Sequence, residues 1–169
     1  VLQIFSKMHV LTRLDKRVSG LMVLAKNSIA AQKYSYLLQN NKLHKKYHCV
    51  VKNQPPKDSD KLVHWLLKGP KTKAYTEEKR GAKKSVLQYK VIQSSERYHL
   101  VEIIIETGRF HQIRAQMAAI DCPIVGDLKY GFKRSSPDGS IFLCCTKIQI
   151  GDISVEIPLP AEWKRYGLG

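Results

Sequence analysis

The sequence predicts an α+β domain with a mostly antiparallel mixed sheet flanked by helices and loops. Strand-like segments with alternating or continuous apolar residues recur along the 169-residue chain. Two segments have helical spacing, and short polar links join most of the strand-like segments, which favours antiparallel pairing. A chain of this length usually forms one domain, and we expect one over residues 1–169.

The first half of the chain contains two predicted strands and one predicted helix. Residues 21–25, LMVLA, read as a short buried strand that follows Gly20. Residues 28–39 have apolar positions at helical spacing, with Ser28 as the N-cap. Residues 47–52, YHCVVK, form the next strand, and residues 53–60, NQPPKDSD, form a loop.

The second half contains a basic segment and most of the sheet. Residues 68–84 are rich in Lys and Gly and are predicted to be mobile. Residues 85–93 and 98–106 alternate in polarity and flank a short link, which predicts a β-hairpin. Residues 111–120 form a short helix. The remaining predicted strands are 141–150 and 153–157.

Charge and cysteine content narrow the function. Lys and Arg number 29 against 14 Asp and Glu, a net charge of +15, which favours a polyanionic partner. A solvated basic surface is the alternative. No apolar run approaches the roughly 20 residues of a membrane span. The four cysteines lack zinc-site or disulfide spacing, so we expect reduced, mostly buried thiols and a cytoplasmic protein: Cys49, Cys122, Cys144 and Cys145.

Asp15 is the leading candidate for chemistry. It is the only acidic residue among the first 57, and Arg13, Lys16 and Arg17 lie beside it. Cations favour the ionised carboxylate, which suits nucleophilic or acid/base work on a nucleic acid. A surface ion pair is the usual role of such an aspartate. However, Ser19 and the glycine after it predict a tight turn before a buried strand, where active sites often place side chains.

Two further segments carry candidate substrate contacts. In TGRFHQIRAQ (107–116), Arg109, His111, Gln112 and Arg114 cluster at a helix N-terminus, where phosphate binds well. For His111 itself, a hydrogen-bonded structural role is favoured over that of a catalytic base.

In KLHKKYHCVV (42–51), Lys46 precedes Tyr47. A cation next to an aromatic ring suits RNA binding. A solvated lysine beside a tyrosine buried in the core is an equally good explanation. Asp127, in a predicted turn, is interpreted as structural, capping the turn or holding nearby arginines.

Three motifs occur in order: TRLDKRVSGLMVLAKN (12–27), KKYHCVV (45–51) and TGRFHQIRAQMAAIDCPIVGDLKYG (107–131). Together they resemble the motifs of the RluA-like family of RNA pseudouridine synthases. The resemblance implies the pseudouridine synthase catalytic fold, with the N-terminal strands of its sheet missing from this chain. It also implies isomerisation of a specific uridine in structured RNA, either rRNA or tRNA, by a monomer without metal or cofactor.

The resemblance also implies roles for individual residues. Asp15 is the catalytic carboxylate, Tyr47 stacks on the flipped uracil and assists proton removal from its C5 atom, and Arg114 holds Asp15. Arg13 helps to extrude the base, and Ile113 packs against it. The chain departs from the family pattern at Thr12, Val18, Phe110, Gln116, Met117, Cys144 and Cys145, which affects subfamily and substrate more than activity.

Two other functions compete with this one. A non-catalytic RNA-binding or ribosome-associated protein could keep the same fold, although binding alone does not require a carboxylate near phosphates. Phosphoryl transfer or nuclease chemistry would call for clustered carboxylates that bind metal ions. Asp15 is isolated in the first third of the chain, which argues against that chemistry.

Overall fold

A mixed sheet forms the centre of the computed structural model, which describes residues 8–40 and 42–168. The strands in these ranges are β1 (His9–Val10), β2 (Ser19–Gly20), β3 (Leu24–Ala25), β4 (Leu43–Val51), β5 (Ser59–Leu67), β6 (Lys73–Tyr75), β7 (Lys83–Ser94), β8 (His99–Ile105), β9 (Leu143–Ile150) and β10 (Ile153–Glu156). The helices are α1 (Ser28–Gln39) and α2 (Gln112–Ala119), with 3₁₀ segments at Leu128–Tyr130 and Ala161–Tyr166.

The main sheet has the order β10–β9–β4–β8–β7–β5–β6, and β2 pairs with β9. Neighbouring strands run antiparallel, except that β2 is parallel to β9. Strands β1 and β3 form a separate antiparallel pair. The α+β prediction with a mostly antiparallel mixed sheet is therefore confirmed.

The hydrophobic core lies against the central strands. Val50, Val101 and Ile103 from β4 and β8 are fully buried, because these strands have neighbours on both sides. The C-terminal 3₁₀ segment adds Trp163, whose ring stacks on Phe142 with 5.7 Å between centroids. Strands β4 and β8, which border the site described below, are thus packed against the core.

The predicted hairpin and first helix match the structure. Strands β7 and β8 pair antiparallel through a short link, and α1 has the predicted bounds. The N-cap, however, is Asn27 rather than Ser28, because the Asn27 side chain accepts a 2.8 Å hydrogen bond from the backbone N–H of Ala30. The predicted helix over 111–120 and the two C-terminal strands are confirmed within one or two residues.

Three regions differ from the predictions. The strand predicted over 47–52 is β4, which begins earlier, at Leu43. The expected strand over 21–25 is reduced to Leu24–Ala25, and the preceding Ser19–Gly20 pairs with β9 instead. Strand β5 begins within the predicted loop 53–60 and covers 61–67, for which no element was predicted, while β6 and the start of β7 lie in the predicted basic segment 68–84. Strand β5 pairs with β7 over eight positions, so this part of the chain belongs to the sheet.

The four cysteines are free and buried, as predicted. None of the helices in the described ranges is long and apolar enough to cross a membrane.

Candidate active site

A pocket of about 110 Å³ lies where the loop between β1 and β2 meets β4, β8 and the start of α2. Its polar lining residues are Arg13, Asp15, Lys45, Tyr47, Arg109, His111, Gln112 and Arg114. Its apolar lining residues are Leu14, Val18, Ile105, Ile113 and Leu143. Four segments far apart in sequence thus meet here, and they bring together every predicted site residue except Lys46.

The loop that carries Asp15 is fixed to its neighbours by hydrogen bonds. Thr12 Oγ1 accepts a 2.9 Å bond from the backbone N–H of Val23, and the Val23 carbonyl accepts one of 3.0 Å from Leu11. The backbone N–H of Val18 donates to the Asp15 carbonyl at 3.1 Å, which closes a turn directly after the aspartate. The carboxylate is consequently presented from a braced loop.

The turn after Asp15 and strand β2 each contain one unusual backbone conformation. Arg17 has a φ of 72°, a left-handed conformation that costs a residue with a side chain of order 1–2 kcal/mol. The Arg17 carbonyl is held by a 2.8 Å hydrogen bond from Ile141. Gly20 has a φ of 114°, and a Cβ there would collide with the backbone of Cys145. Glycine is therefore required where β2 meets β9, and the turn stores strain beside Asp15.

Arg114 joins Asp15 to a second, buried carboxylate. Its Nη1 lies 3.2 Å from Asp15 Oδ2, while Nε and Nη2 donate to the two oxygens of Asp127 at 2.7 and 2.9 Å. Burial alone would lower the pKa of Arg114, but the hydrogen bonds and charge of Asp127, and then of Asp15, raise it overall. The guanidinium stays charged and has a single orientation. The prediction that Asp127 holds a nearby arginine is confirmed.

His111 lies near the same oxygen of the Asp15 carboxylate that Arg114 contacts. Its Nε2 is 3.7 Å from Asp15 Oδ2, and its Nδ1 is 2.9 Å from the hydroxyl of Tyr130. The Tyr130 oxygen already accepts a hydrogen bond from the backbone N–H of Thr72 at 3.0 Å. Its own proton is thus free to reach Nδ1, which leaves Nε2 as the protonated nitrogen that faces Asp15.

The environment of His111 favours its neutral form. Burial lowers its pKa, and the positive charges of Arg114 and Lys129 lower it further, against the opposing effect of Asp15. A neutral imidazole between Tyr130 and Asp15 is an orienting group, in agreement with the hydrogen-bonded structural role favoured for His111.

Tyr47 forms a buried wall of the pocket, with 7% of its surface exposed. Burial raises its pKa well above the ordinary value for tyrosine, and the nearby Cys145 thiol and Asp15 carboxylate raise it further. Tyr47 is therefore a protonated phenol at neutral pH.

Gln112 lines the pocket, but its amide is engaged by protein groups. Its Oε1 accepts from the Thr107 hydroxyl at 2.8 Å and from the backbone N–H of Arg109 at 3.0 Å. Its Nε2 donates to the Val86 carbonyl at 3.0 Å. Gln112, predicted to contact substrate, thus fixes the loop that carries Arg109.

Lys46 is the predicted site residue that lies away from the pocket. Alternate residues of a strand point to opposite faces, so Lys45 and Tyr47 line the pocket while Lys46 and His48 face Glu102. The Lys46 ammonium lies 2.9 Å from Glu102. The lysine at the pocket is therefore Lys45, which precedes Lys46 in the segment 42–51.

A family model described as RNA pseudouridylate synthase matches residues 6–119 of this chain, which include Asp15, Tyr47 and Arg114. The chain belongs to the RNA pseudouridylate synthase family. The resemblance found from the three motifs is thereby confirmed at the level of the family. Within the described residues, no group of three or more His, Cys, Asp or Glu side chains is placed to hold a metal ion.

Relatives of this synthase-family chain include bacterial proteins. An uncharacterized RNA pseudouridine synthase of Aquifex aeolicus is 35% identical over 129 residues, which cover 75% of this chain and 41% of the relative. The ribosomal large subunit pseudouridine synthase C of Rickettsia bellii is 31% identical over 163 residues, covering 90% of this chain and 54% of the relative. The chain thus spans about half the length of these relatives or less.

Solved structures of the family share the fold. Human RNA pseudouridylate synthase domain containing 4 superposes with a TM-score of 0.83 at 22% identity, covering 96% of this chain and 77% of the human one. Human RNA pseudouridylate synthase domain containing 1 gives 0.76 at 21% identity, covering 94% and 71%. The predicted pseudouridine synthase catalytic fold is thereby confirmed.

Proposed function

We propose that this chain converts uridine to pseudouridine in RNA, as one catalytic domain over residues 1–169 with Asp15 as the catalytic carboxylate. The observation that carries the proposal is the position of Asp15. It lies at a small pocket with apolar walls, held by Arg114 and adjacent to the buried ring of Tyr47. Membership of the pseudouridylate synthase family supports the same reaction.

The reaction needs a pocket that retains a free base. The bond between uracil N1 and ribose C1′ breaks, the base turns over, and a bond forms between its C5 atom and C1′. C5 loses a proton and N1 gains one, so the product is an isomer and no oxidant or reductant is consumed. The apolar wall formed by Val18, Ile113 and Leu143 suits a flat base that must rotate without escaping.

Asp15 supplies the negative charge at the reacting sugar or base as the glycosidic bond breaks. Arg114 fixes the direction of the carboxylate, and His111 Nε2 lies 3.7 Å from the same carboxylate oxygen. Holding a reacting group in one orientation before the substrate arrives removes an entropic cost from the chemical step. The contacts of Arg114 and His111 thus help to position the Asp15 carboxylate.

Tyr47 offers the uracil an aromatic face. Because burial raises the pKa of Tyr47, its hydroxyl keeps its proton and is not an ionised base before substrate binds. Assistance in removing the C5 proton therefore requires the phenol to pass its own proton on in the same step.

RNA reaches the pocket over a basic rim. Arg13 and Arg109 are exposed at its edge, and the partly buried Lys45 lies beside Tyr47. The target uridine must leave its stack to enter, as in other enzymes that modify bases. We assign phosphate binding to this rim and extrusion of the base to Arg13.

Large-subunit ribosomal RNA is the first substrate to test, with transfer RNA second. The ribosomal large subunit synthases C and D among the relatives support this order. We propose a cytoplasmic, monomeric enzyme, in keeping with four free cysteines and the bacterial ribosomal relatives.

The test is pseudouridine mapping of ribosomal and transfer RNA from cells that lack the gene. Such cells are complemented with wild type, with Asp15→Asn, or with Asp152→Asn, which removes an exposed carboxylate between β9 and β10. The proposal expects one or more sites to vanish in the deletion strain and to return with wild type and Asp152→Asn only. Restoration by Asp15→Asn would remove Asp15 from its catalytic role.

A non-catalytic RNA-binding protein is the alternative, and purified variants distinguish it. An enzyme with Asp15→Asn loses turnover and keeps its RNA affinity, because the substitution preserves shape. In a pure binding protein the same substitution leaves affinity equal or higher, since it removes a negative charge near phosphates, and wild type forms no pseudouridine.

A further inference from the structure

A second groove lies next to the active-site pocket, between the β5–β6 hairpin and the segment before α2. Its volume is about 250 Å³. It is lined by Leu66, Lys68, Thr72, Gly81, Lys83, Gly108, Arg109 and Phe110. Gly108 and Arg109 also line the active-site pocket, so the two cavities share a wall.

At Gly108 no side chain separates the two cavities. A Cβ built on this glycine would meet nothing within 4 Å, and glycine itself presents no side chain between the cavities. A nucleotide strand with one base in the active-site pocket could therefore cross at Gly108 and continue into the groove.

The lining of the groove combines positive charge with one aromatic ring. Its charged residues are Lys68, Lys83 and Arg109, and no acidic residue lines it. Phe110 is 47% exposed, so burial in the core does not explain its presence. Cations beside an exposed ring are the combination that single-stranded RNA binds through its phosphates and bases.

The Phe110 ring is held in place from one side. It stacks on the His111 imidazole with 3.8 Å between centroids and 18° between planes. The Lys68 ammonium lies over the ring at 5.3 Å from its centroid, and because the imidazole covers one face, this cation occupies the other. Lysine has a long flexible stem, so a base could replace the ammonium on the ring while the ammonium moves to the phosphate.

We propose that this groove binds the nucleotide adjacent to the target uridine, with its base stacked on Phe110 and its phosphate among Lys68, Lys83 and Arg109. The inference rests on the proposed function, since it places the target uridine in the neighbouring pocket. It assigns Phe110 a part in substrate binding that does not depend on the chemistry at Asp15.

The test measures the preference for bases separately from the attraction to phosphates. Fluorescence anisotropy gives the Kd for labelled decauridylate and for an abasic ribose–phosphate chain of the same length. Both probes carry the same charge, so the ratio of the two Kd values reports base contacts. The variants are Phe110→Ala, Phe110→Tyr and Phe110→Leu, with thermal unfolding to show that each is folded.

Phe110→Ala should reduce the base preference roughly tenfold, the size of one stacking interaction. Phe110→Tyr should keep the wild-type ratio, and Phe110→Leu should lose it, because leucine keeps apolar bulk without a flat ring. An unchanged ratio in Phe110→Ala, or full retention in Phe110→Leu, would overturn the inference.

Lysine variants test the phosphate half of the proposal. Lys68→Gln and Lys83→Gln should weaken binding of both probes by the same factor. Lys90→Gln is the matched control, because Lys90 is exposed on β7, seven residues and roughly 23 Å along the strand from Lys83. Equal effects at positions 83 and 90 would remove the groove from phosphate binding.

These binding ratios do not require turnover. If the proposed isomerisation failed, pseudouridine mapping would show no lost site while the Kd ratios still reported on the groove. If only the groove inference failed, mapping would still find a target.

Discussion

Asp127 binds Arg114 through two hydrogen bonds of 2.7 and 2.9 Å, from a position that is 1% exposed. The same guanidinium reaches Asp15 at 3.2 Å from its remaining nitrogen. The direction of the proposed catalytic carboxylate therefore depends on a second carboxylate that does not line the active-site pocket.

Substitution Asp127→Asn should slow turnover more than it weakens RNA binding. Asparagine keeps the shape but loses the charge and one acceptor, so Arg114 is less well held and Asp15 shifts. A displacement on the order of 1 Å in such a site costs about 100-fold in rate. Single-turnover kinetics and the Kd for RNA, measured on the same preparation, give the loss of rate and the loss of affinity.

Asp138→Asn is the control for this experiment, since Asp138 is an exposed carboxylate bonded to Ser140. This substitution should leave the turnover rate and the RNA affinity at wild-type values. A loss of RNA affinity as large as the loss of rate in Asp127→Asn would show that Arg114 is chiefly a phosphate contact. Thermal unfolding is needed beside it, because half-breaking a buried ion pair destabilises the fold by up to about 3–5 kcal/mol.

Tyr47→Phe should retain RNA affinity and slow turnover. The ring remains for stacking, while the hydroxyl, which lies beside the Cys145 thiol, is lost. A fall of about tenfold corresponds to one lost hydrogen bond, and a fall of about 100-fold or more corresponds to lost proton transfer. Tyr89→Phe is the matched control, because Tyr89 is also a buried tyrosine of the sheet but does not line the pocket. Unchanged turnover in Tyr47→Phe would limit Tyr47 to stacking.

Neighbouring lysines on β4 allow a paired test of RNA contact. With a net charge of +15, RNA affinity should fall steeply as salt rises. Lys45→Gln should reduce the slope of log Kd against log salt by about 0.7, the value for one phosphate contact on a single strand. Lys46→Gln should leave it unchanged, because Lys46 faces Glu102 on the other side of the sheet. A reversed result would place the RNA on the face that carries Glu102.

Local sequence predicted much of the sheet but not β5. In this strand Leu62, His64 and Leu66 are buried and alternate with exposed Lys61 and Val63. The alternation of apolar and polar residues that marks a strand is not visible in the sequence, because a histidine occupies the buried face and a valine the exposed one. His64 is tolerated inside because its Nδ1 bonds to the Gln116 amide at 3.1 Å, a partner 52 positions away.

The site was predictable as a set of residues and only partly as a geometry. The three motifs identified Asp15, Tyr47 and Arg114, which the structure brings to one pocket. Whether Lys45 or Lys46 joins them depends on which face of the sheet each side chain of β4 points to. Two adjacent lysines do not reveal which of them faces the pocket. The partners of Asp127 likewise depend on how α2 packs against the turn after it.

Acidification should destabilise the protein through its buried histidines. Burial lowers the pKa values of His48, His64 and His111 below the ordinary 6.5. Between each lowered value and 6.5 the unfolded chain binds more protons than the folded one, so the free energy of unfolding rises with pH. This contribution is complete above 6.5 and is lost as the pH falls through the folded-state values.

The unfolding midpoint should therefore decrease when the pH is lowered from 7 to 5, and His111→Gln should make the decrease smaller. Protonation of His111 should also change turnover. The imidazolium would add a positive charge beside Asp15. Its Nδ1 would become a donor and would compete with the Tyr130 hydroxyl proton. Turnover of wild type should fall over the same interval, and that of His111→Gln, although lower at pH 7, should depend less on pH. Equal pH dependence in the two proteins, for both unfolding and turnover, would show that His111 does not change protonation in this range.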